Sequence, residues 1–191
     1  MKKYIAYSIL FFTANICFGQ LLPGTLYGTA GPTYSQSLSD VVKEAGEDDG
    51  SIAYENGASA VQISFYLDPS NLRSSSQNCA NNVYKYKVFM HTQNAPEGLV
   101  LEARTFSNAG NRFPASANYD LFPANGPRDL YPENGGSYIA IPNEDSAAIK
   151  VFEFTGCRTN IPIQFRVAAS ALSDSGTSNT EVYYTVVGSL N

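Results

Sequence analysis

Val61-Gln62-Ile63-Ser64-Phe65-Tyr66-Leu67 alternates strictly between apolar and polar or amphipathic side chains, and Asp68-Pro69 ends the run. Successive strand residues point to opposite faces, so this period of two is a strand with one buried and one wet side. The same reading recurs downstream. Over residues 83–91, Tyr84, Tyr86, Val88 and Met90 share one face, and Lys85, Lys87 and His91 share the other. Residues 99–106 set Leu99, Leu101 and Ala103 opposite Glu102 and Arg104. Further strands are expected over residues 138–141, 148–154, 161–170 and 180–188, with a short one over 119–122. Ile161, Ile163, Phe165, Val167 and Ala169 face one way, as do Val182, Tyr184 and Val186. Pro162 has no backbone donor, so its strand should begin at a sheet edge.

Seven or eight short strands, regular turn signals and almost no helix predict an all-β fold. It is read as a single antiparallel β-sandwich of the Ig-like/Greek-key type with long loops. No self-similar repeat points to a propeller or solenoid.

Residues 20–58 are less regular. Pro23-Gly24, Gly28 and Gly31-Pro32 carry turn chemistry. Residues 37–46 suit one or two helical turns or a mobile loop, and Glu47-Asp48-Asp49-Gly50 follows as an acidic cluster. Residues 1–19 read as a signal peptide: Lys2 and Lys3, an apolar run over 5–16, then small residues at Cys17 and Gly19 before Gln20. Ala14-Asn15-Ile16 does not resemble the sequence that precedes a lipidated cysteine. The expected organisation is therefore a leader (1–19), an irregular N-terminal segment (20–58) and a sandwich body (59–191).

Cleavage at Gln20 leaves 172 residues, enough for one domain that buries about 70% of its unfolded surface. It also leaves two cysteines, Cys79 and Cys157, which in an exported chain predict one disulfide. The leader removes two of the 12 Lys and Arg residues, so the mature chain carries a net charge of −7. Such an acidic surface disfavours nucleic acid and anionic lipid as partners. No apolar run in the mature chain is long enough to span a bilayer as a helix.

Catalytic apparatus is sparse. His91 is the sole histidine. No G-x-S-x-G surrounds a serine, and both remaining thiols are committed to each other. His91 is read as an exposed residue without a catalytic or ligand role. One His and a bonded Cys pair exclude a tetrahedral zinc site. No cofactor is expected. Calcium is the cation that Glu47, Asp48, Asp49 and Glu55, or Glu144 and Asp145, have the chemistry to hold, without an EF-hand pattern. The chain has 13 Tyr and no Trp. Tyr66 and Tyr183 are candidates to stack on a sugar or a partner protein.

The resulting expectation is an exported, non-catalytic β-sandwich acting through protein or glycan contacts, as a cell-surface, adhesive, filament or matrix component. Its location would be periplasmic, cell-surface or extracellular, and assembly into an oligomer or filament is in keeping with it. In size, leader, single disulfide and short strands the chain is similar to pilin subunits of the chaperone–usher type. It departs from them in having strands enough for a complete sandwich and in lacking a glycine well upstream of a penultimate aromatic. Exposed tyrosines would also suit a carbohydrate-binding module, and the 17 acidic residues would supply carboxylate pairs for a hydrolase.

Overall fold

The computed structural model describes residues 24–28, 54–67, 72–169 and 176–190. The leader with Cys17, the 37–46 segment and the acidic cluster at 47–50 lie outside the described residues. Two antiparallel sheets pack face to face as an all-β sandwich. The larger contains β1 (Gly24–Gly28), β2 (Tyr54–Glu55), β3 (Val61–Leu67), β5 (Leu99–Arg104), β6 (Asn111–Phe113), β8 (Ile139–Ala140) and β10 (Cys157–Ala169). The smaller runs β11 (Glu181–Ser189), β4 (Lys85–Gln93), β9 (Ile149–Thr155) and β7 (Leu130–Pro132).

The period-two faces hold. Val61, Ile63, Phe65 and Leu67 are buried, as are Tyr86, Val88 and Met90 on β4 and Ile161, Ile163 and Phe165 on β10. Phe65, Tyr86 and Phe154 form an aromatic knot at the centre, with ring centroids 4.4, 5.7 and 5.6 Å apart. Such packing adds to the transfer free energy of the rings themselves. On β9, Val151 and Phe152 are both buried, because the register with β4 shifts between Val88 and Phe89. A bulge of this kind turns consecutive side chains inward.

β10 is the spine, and it changes partners on both sides. One side pairs with β3 over Arg158 to Ile163 and then with β2 at Arg166 and Val167. The other pairs with β6 over Cys157 to Thr159 and then with β5 from Gln164 onward. Side chains fill both hand-overs. Asn56 donates to the Ile163 carbonyl and accepts from the Phe165 amide, and the Thr105 hydroxyl donates to the Pro162 carbonyl at 2.7 Å. In a strand the N–H and C=O of one residue point the same way. The missing Pro162 donor therefore faces the gap between β6 and β5. The expected edge proves to be this internal gap, and the strand begins at Cys157 rather than at 161.

Four other expectations are corrected. Eleven strands are present among the described residues, because β2, β6 and β7 are too short to show a period and β1 lies in the segment read as irregular. The irregular N-terminal segment contributes β1, whose Leu26 packs on the core. The Ser74-Ser75-Ser76-Gln77-Asn78 stretch, whose composition favours turns, is instead the body of helix α1 (Leu72–Ala80). Finally, 119–122 is no strand: a 3-10 turn spans Asn118–Leu121.

Cys79 in the last turn of α1 and Cys157 at the start of β10 are bonded, with Cα atoms 5.5 Å apart. Asn82 closes the same corner. Its amide and the Tyr86 hydroxyl bond to each other, and its Oδ1 accepts from the Tyr84 N–H at 3.1 Å. Burial pushes the Tyr86 phenol up to about 12.

Candidate functional site

The segment from Phe106 to Leu130 is rich in Gly and Pro, and at its centre it holds two large apolar side chains, Leu121 and Phe122. Their neighbours are tied down. The Tyr119 ring is buried, and its hydroxyl donates to the Gly126 carbonyl (3.0 Å) and accepts from the Asn125 N–H (2.8 Å). The Asn125 amide in turn donates to the Val83 carbonyl of the main body. Asp120 accepts two hydrogen bonds from Arg128, at 2.8 and 2.7 Å, and one from the Ala117 N–H at 2.8 Å. The Arg128 bonds foremost hold the Asp120 carboxyl below the usual carboxylate range.

Arg128 is fully buried and donates onward to the Pro114 and Ala115 carbonyls, so its fork is almost completely engaged. Pairing and hydrogen bonding of this kind offset the desolvation of a buried guanidinium. The loop is therefore a rigid platform. At its tip Leu121 is 73% exposed and Phe122 84% exposed. Isolated surface apolar groups are ordinary, whereas two adjacent large ones on a pinned loop make a small exposed apolar patch.

Beneath this loop Arg112, Arg128 and Arg158 converge. Arg112 pairs with Asp129 at 2.6 Å, while Arg158 donates to three backbone carbonyls. Burial, with Arg112 and Arg128 close by, lowers the Arg158 guanidinium to about 10. Gly110 lets the loop press on β10: with φ at +74°, an added Cβ would stand 2.6 Å from the Thr159 carbonyl oxygen. Only glycine fits there.

A second polar cluster lies on the outer face of the larger sheet. The Tyr138 ring sits between the Arg104 and Arg166 guanidiniums, each 4.3 Å from its centroid. Arg166 pairs with Glu102 at 2.5 Å, and Arg104 donates twice to Gln164. Gln164 also reaches the Glu55 carboxylate and the Asn56 carbonyl. This cluster cross-braces β2, β5, β8 and β10.

The residues singled out in the sequence are scattered. Tyr66 is half-buried and packs edge-on against Phe113, with centroids 5.0 Å apart. Tyr183 is exposed on β11. Glu55 belongs to the Gln164 cluster, far in sequence from Glu144 and Asp145, and no three His, Cys, Asp or Glu side chains come together to hold a metal ion among the described residues. His91, expected to be exposed, is buried at 7% exposure and stacks on Tyr183. The strand parity was right, but residues 145–147 run against that end of β4 and Tyr183 covers the ring.

Sequence reasoning missed the tip and the arginines. The arginines belong to no motif, and their convergence depends on β6, β7 and β10 meeting. The tip had a signal: two bulky apolar residues inside a turn-rich stretch without strand periodicity. Against family models, curated proteins and solved structures, the chain finds no match. No helix among the described residues is long and apolar enough to cross a membrane.

Proposed function

We propose that this is an exported, non-catalytic β-sandwich protein that works by surface contact, as a cell-surface, adhesive or matrix component. Leu121 and Phe122 are its anchor for a protein partner. The exposure of these two side chains on a pinned loop carries this reading. A rigid loop loses little freedom on binding, and seating both side chains in an apolar pocket contributes about 3–6 kcal/mol before association costs. A protein pocket suits the tip better than an anionic membrane, because Asp120 adjoins it and the mature chain is acidic. The disulfide is in keeping with an oxidising compartment. The ionic groups support a non-catalytic reading, since Glu102, Asp120, Asp129, Glu133 and Glu153 are all engaged by Arg or Lys.

The test compares wild type with a Leu121→Ser/Phe122→Ser variant. Each is sedimented over a wide concentration range and applied to arrays of extracellular proteins and glycans. The expected result is a saturable protein contact weakened about thirtyfold or more in the variant, with thermal stability unchanged. Contacts that the variant keeps in full, or turnover of an arrayed glycan, would overturn the proposal.

A further inference from the structure

A depression of about 400 Å³ lies beside the loop, lined by Asn108, Gly110, Asn111, Arg112, Ala115 and Arg158. Its chemistry is unbalanced. Arg128 is matched by Asp120 and Arg112 by Asp129, whereas Arg158 forms no ion pair among the described residues. Arg158 is 3% exposed, and its Nε, Nη1 and Nη2 donate to the carbonyls of Ala109, Arg128 and Asn108 at 2.6, 3.0 and 2.7 Å. All three acceptors are neutral. Three guanidiniums thus meet two carboxylates, and the excess positive charge is held where water screens it least.

Donors also remain. A guanidinium has five N–H groups. Arg158 spends three of them, and Arg112 spends two, on the Arg128 carbonyl and on Asp129. The Arg112 side chain is part-exposed, so its unspent N–H groups are open to a ligand.

We propose that this depression is a binding site for a small oxyanion, a carboxylate or sulfate group, held by the free N–H groups of Arg112 and Arg158. Planar guanidinium forks match two oxygens on one centre, which makes this anion class preferred over a spherical halide. The site is independent of the Leu121–Phe122 contact. The net negative charge of the chain repels anions at long range, so binding rests on short-range contacts and is selective rather than tight.

The arginine Nε–H signals of the protein, followed by NMR at constant ionic strength, provide the test. Sodium sulfate, sodium acetate and sodium glucuronate are titrated separately, with sodium chloride as the balancing salt. The Arg112 and Arg158 signals are expected to shift saturably with at least one oxyanion. Arg112→Gln should weaken that binding at least tenfold. Asn111→Asp, which leaves every arginine bond in place, should weaken it at least fivefold. Saturation by sulfate alone assigns a sulfated ligand, and saturation by acetate or glucuronate assigns a carboxylate. Equal, linear drift in all four salts, or saturation that both variants retain, would refute the site.

Discussion

The imidazole of His91 lies flat against the phenol ring of Tyr183, with centroids 5.1 Å apart and planes 6° from parallel. The two residues face each other across the β4–β11 register. Neither His91 nitrogen meets a hydrogen-bond partner. The side chain acts as a flat apolar filler that happens to carry polar atoms.

His91→Phe keeps the stack and removes two unpartnered polar atoms. It should be neutral or stabilise the fold by up to about 1 kcal/mol. His91→Ala leaves a hole under Tyr183 and should cost about 1–3 kcal/mol. Urea unfolding of both variants checks the pair. A surface histidine would instead give changes below about 0.5 kcal/mol in each.

Replacing Cys79 and Cys157 together by alanine should lower stability by about 2–5 kcal/mol and leave a folded sandwich. The crosslink closes a loop with a sequence separation of 78, so its removal chiefly frees the unfolded chain. The core does not depend on the bond, because the aromatic knot of Phe65, Tyr86 and Phe154 lies in the sheets themselves. Circular dichroism and denaturant titration of the oxidised wild type and the variant measure both halves of this expectation.

Asp120→Asn strips the fully buried Arg128 of its carboxylate. With Asp120 itself part-exposed, the cost should be about 2–3 kcal/mol. The linked pH effect has a definite sign. Asp120 is depressed in the folded state, so its contribution is present above the unfolded carboxylate value near 3.9. It is lost as pH falls below that value through the folded one. Wild type should lose stability there, and the Asn variant should lose less. Parallel melts across the acid range decide it.

Tyr86 should ionise late. Its phenol is raised to about 12 by burial, against 10 in the unfolded chain. The neutral form is the one the fold favours. Its contribution is complete below pH 10 and lost as pH rises through about 12. Ultraviolet titration of phenolate absorbance should show Tyr86→Phe losing a late component. Loss of an early one would contradict the buried placement.

The long strands were legible because one face of each is buried, and burial writes a period of two into the sequence. β3 is the clearest case, and β11 keeps the period with a partly buried face of Val182, Tyr184 and Val186. The short strands β2, β6 and β7 were not legible, since two or three residues contain no period. α1 was hidden by its composition: serines and asparagine favour turns in isolation, and tertiary contact with β3 and β6 overrides that preference. Pro162 gave the right physical demand, a missing donor facing no partner, yet a gap inside the sheet meets that demand as well as an edge. His91 shows the limit of parity, which assigns a face but says nothing of a turn that later covers it. The disulfide was readable from the cysteine count together with the expectation of export. The candidate site was not, because three arginines spread over residues 112–158 are brought together by pairing partners that no local pattern encodes.

Mechanical load gives the crosslink another meaning. When the two ends of the protein are pulled apart, tension bypasses everything between Cys79 and Cys157 and passes through the sulfur bridge. At about 3.4 Å per residue, roughly 260 Å of chain is withheld from extension. The withheld stretch contains β4 to β9, the arginines at 112 and 128, and the Leu121–Phe122 tip. β11 lies outside it and is joined to the smaller sheet by β4 alone among the described strands. Under such a load the two edge strands outside the bridge, β1 and β11, are free to peel, while the Leu121–Phe122 loop stays off the path of tension as long as the bridge is intact.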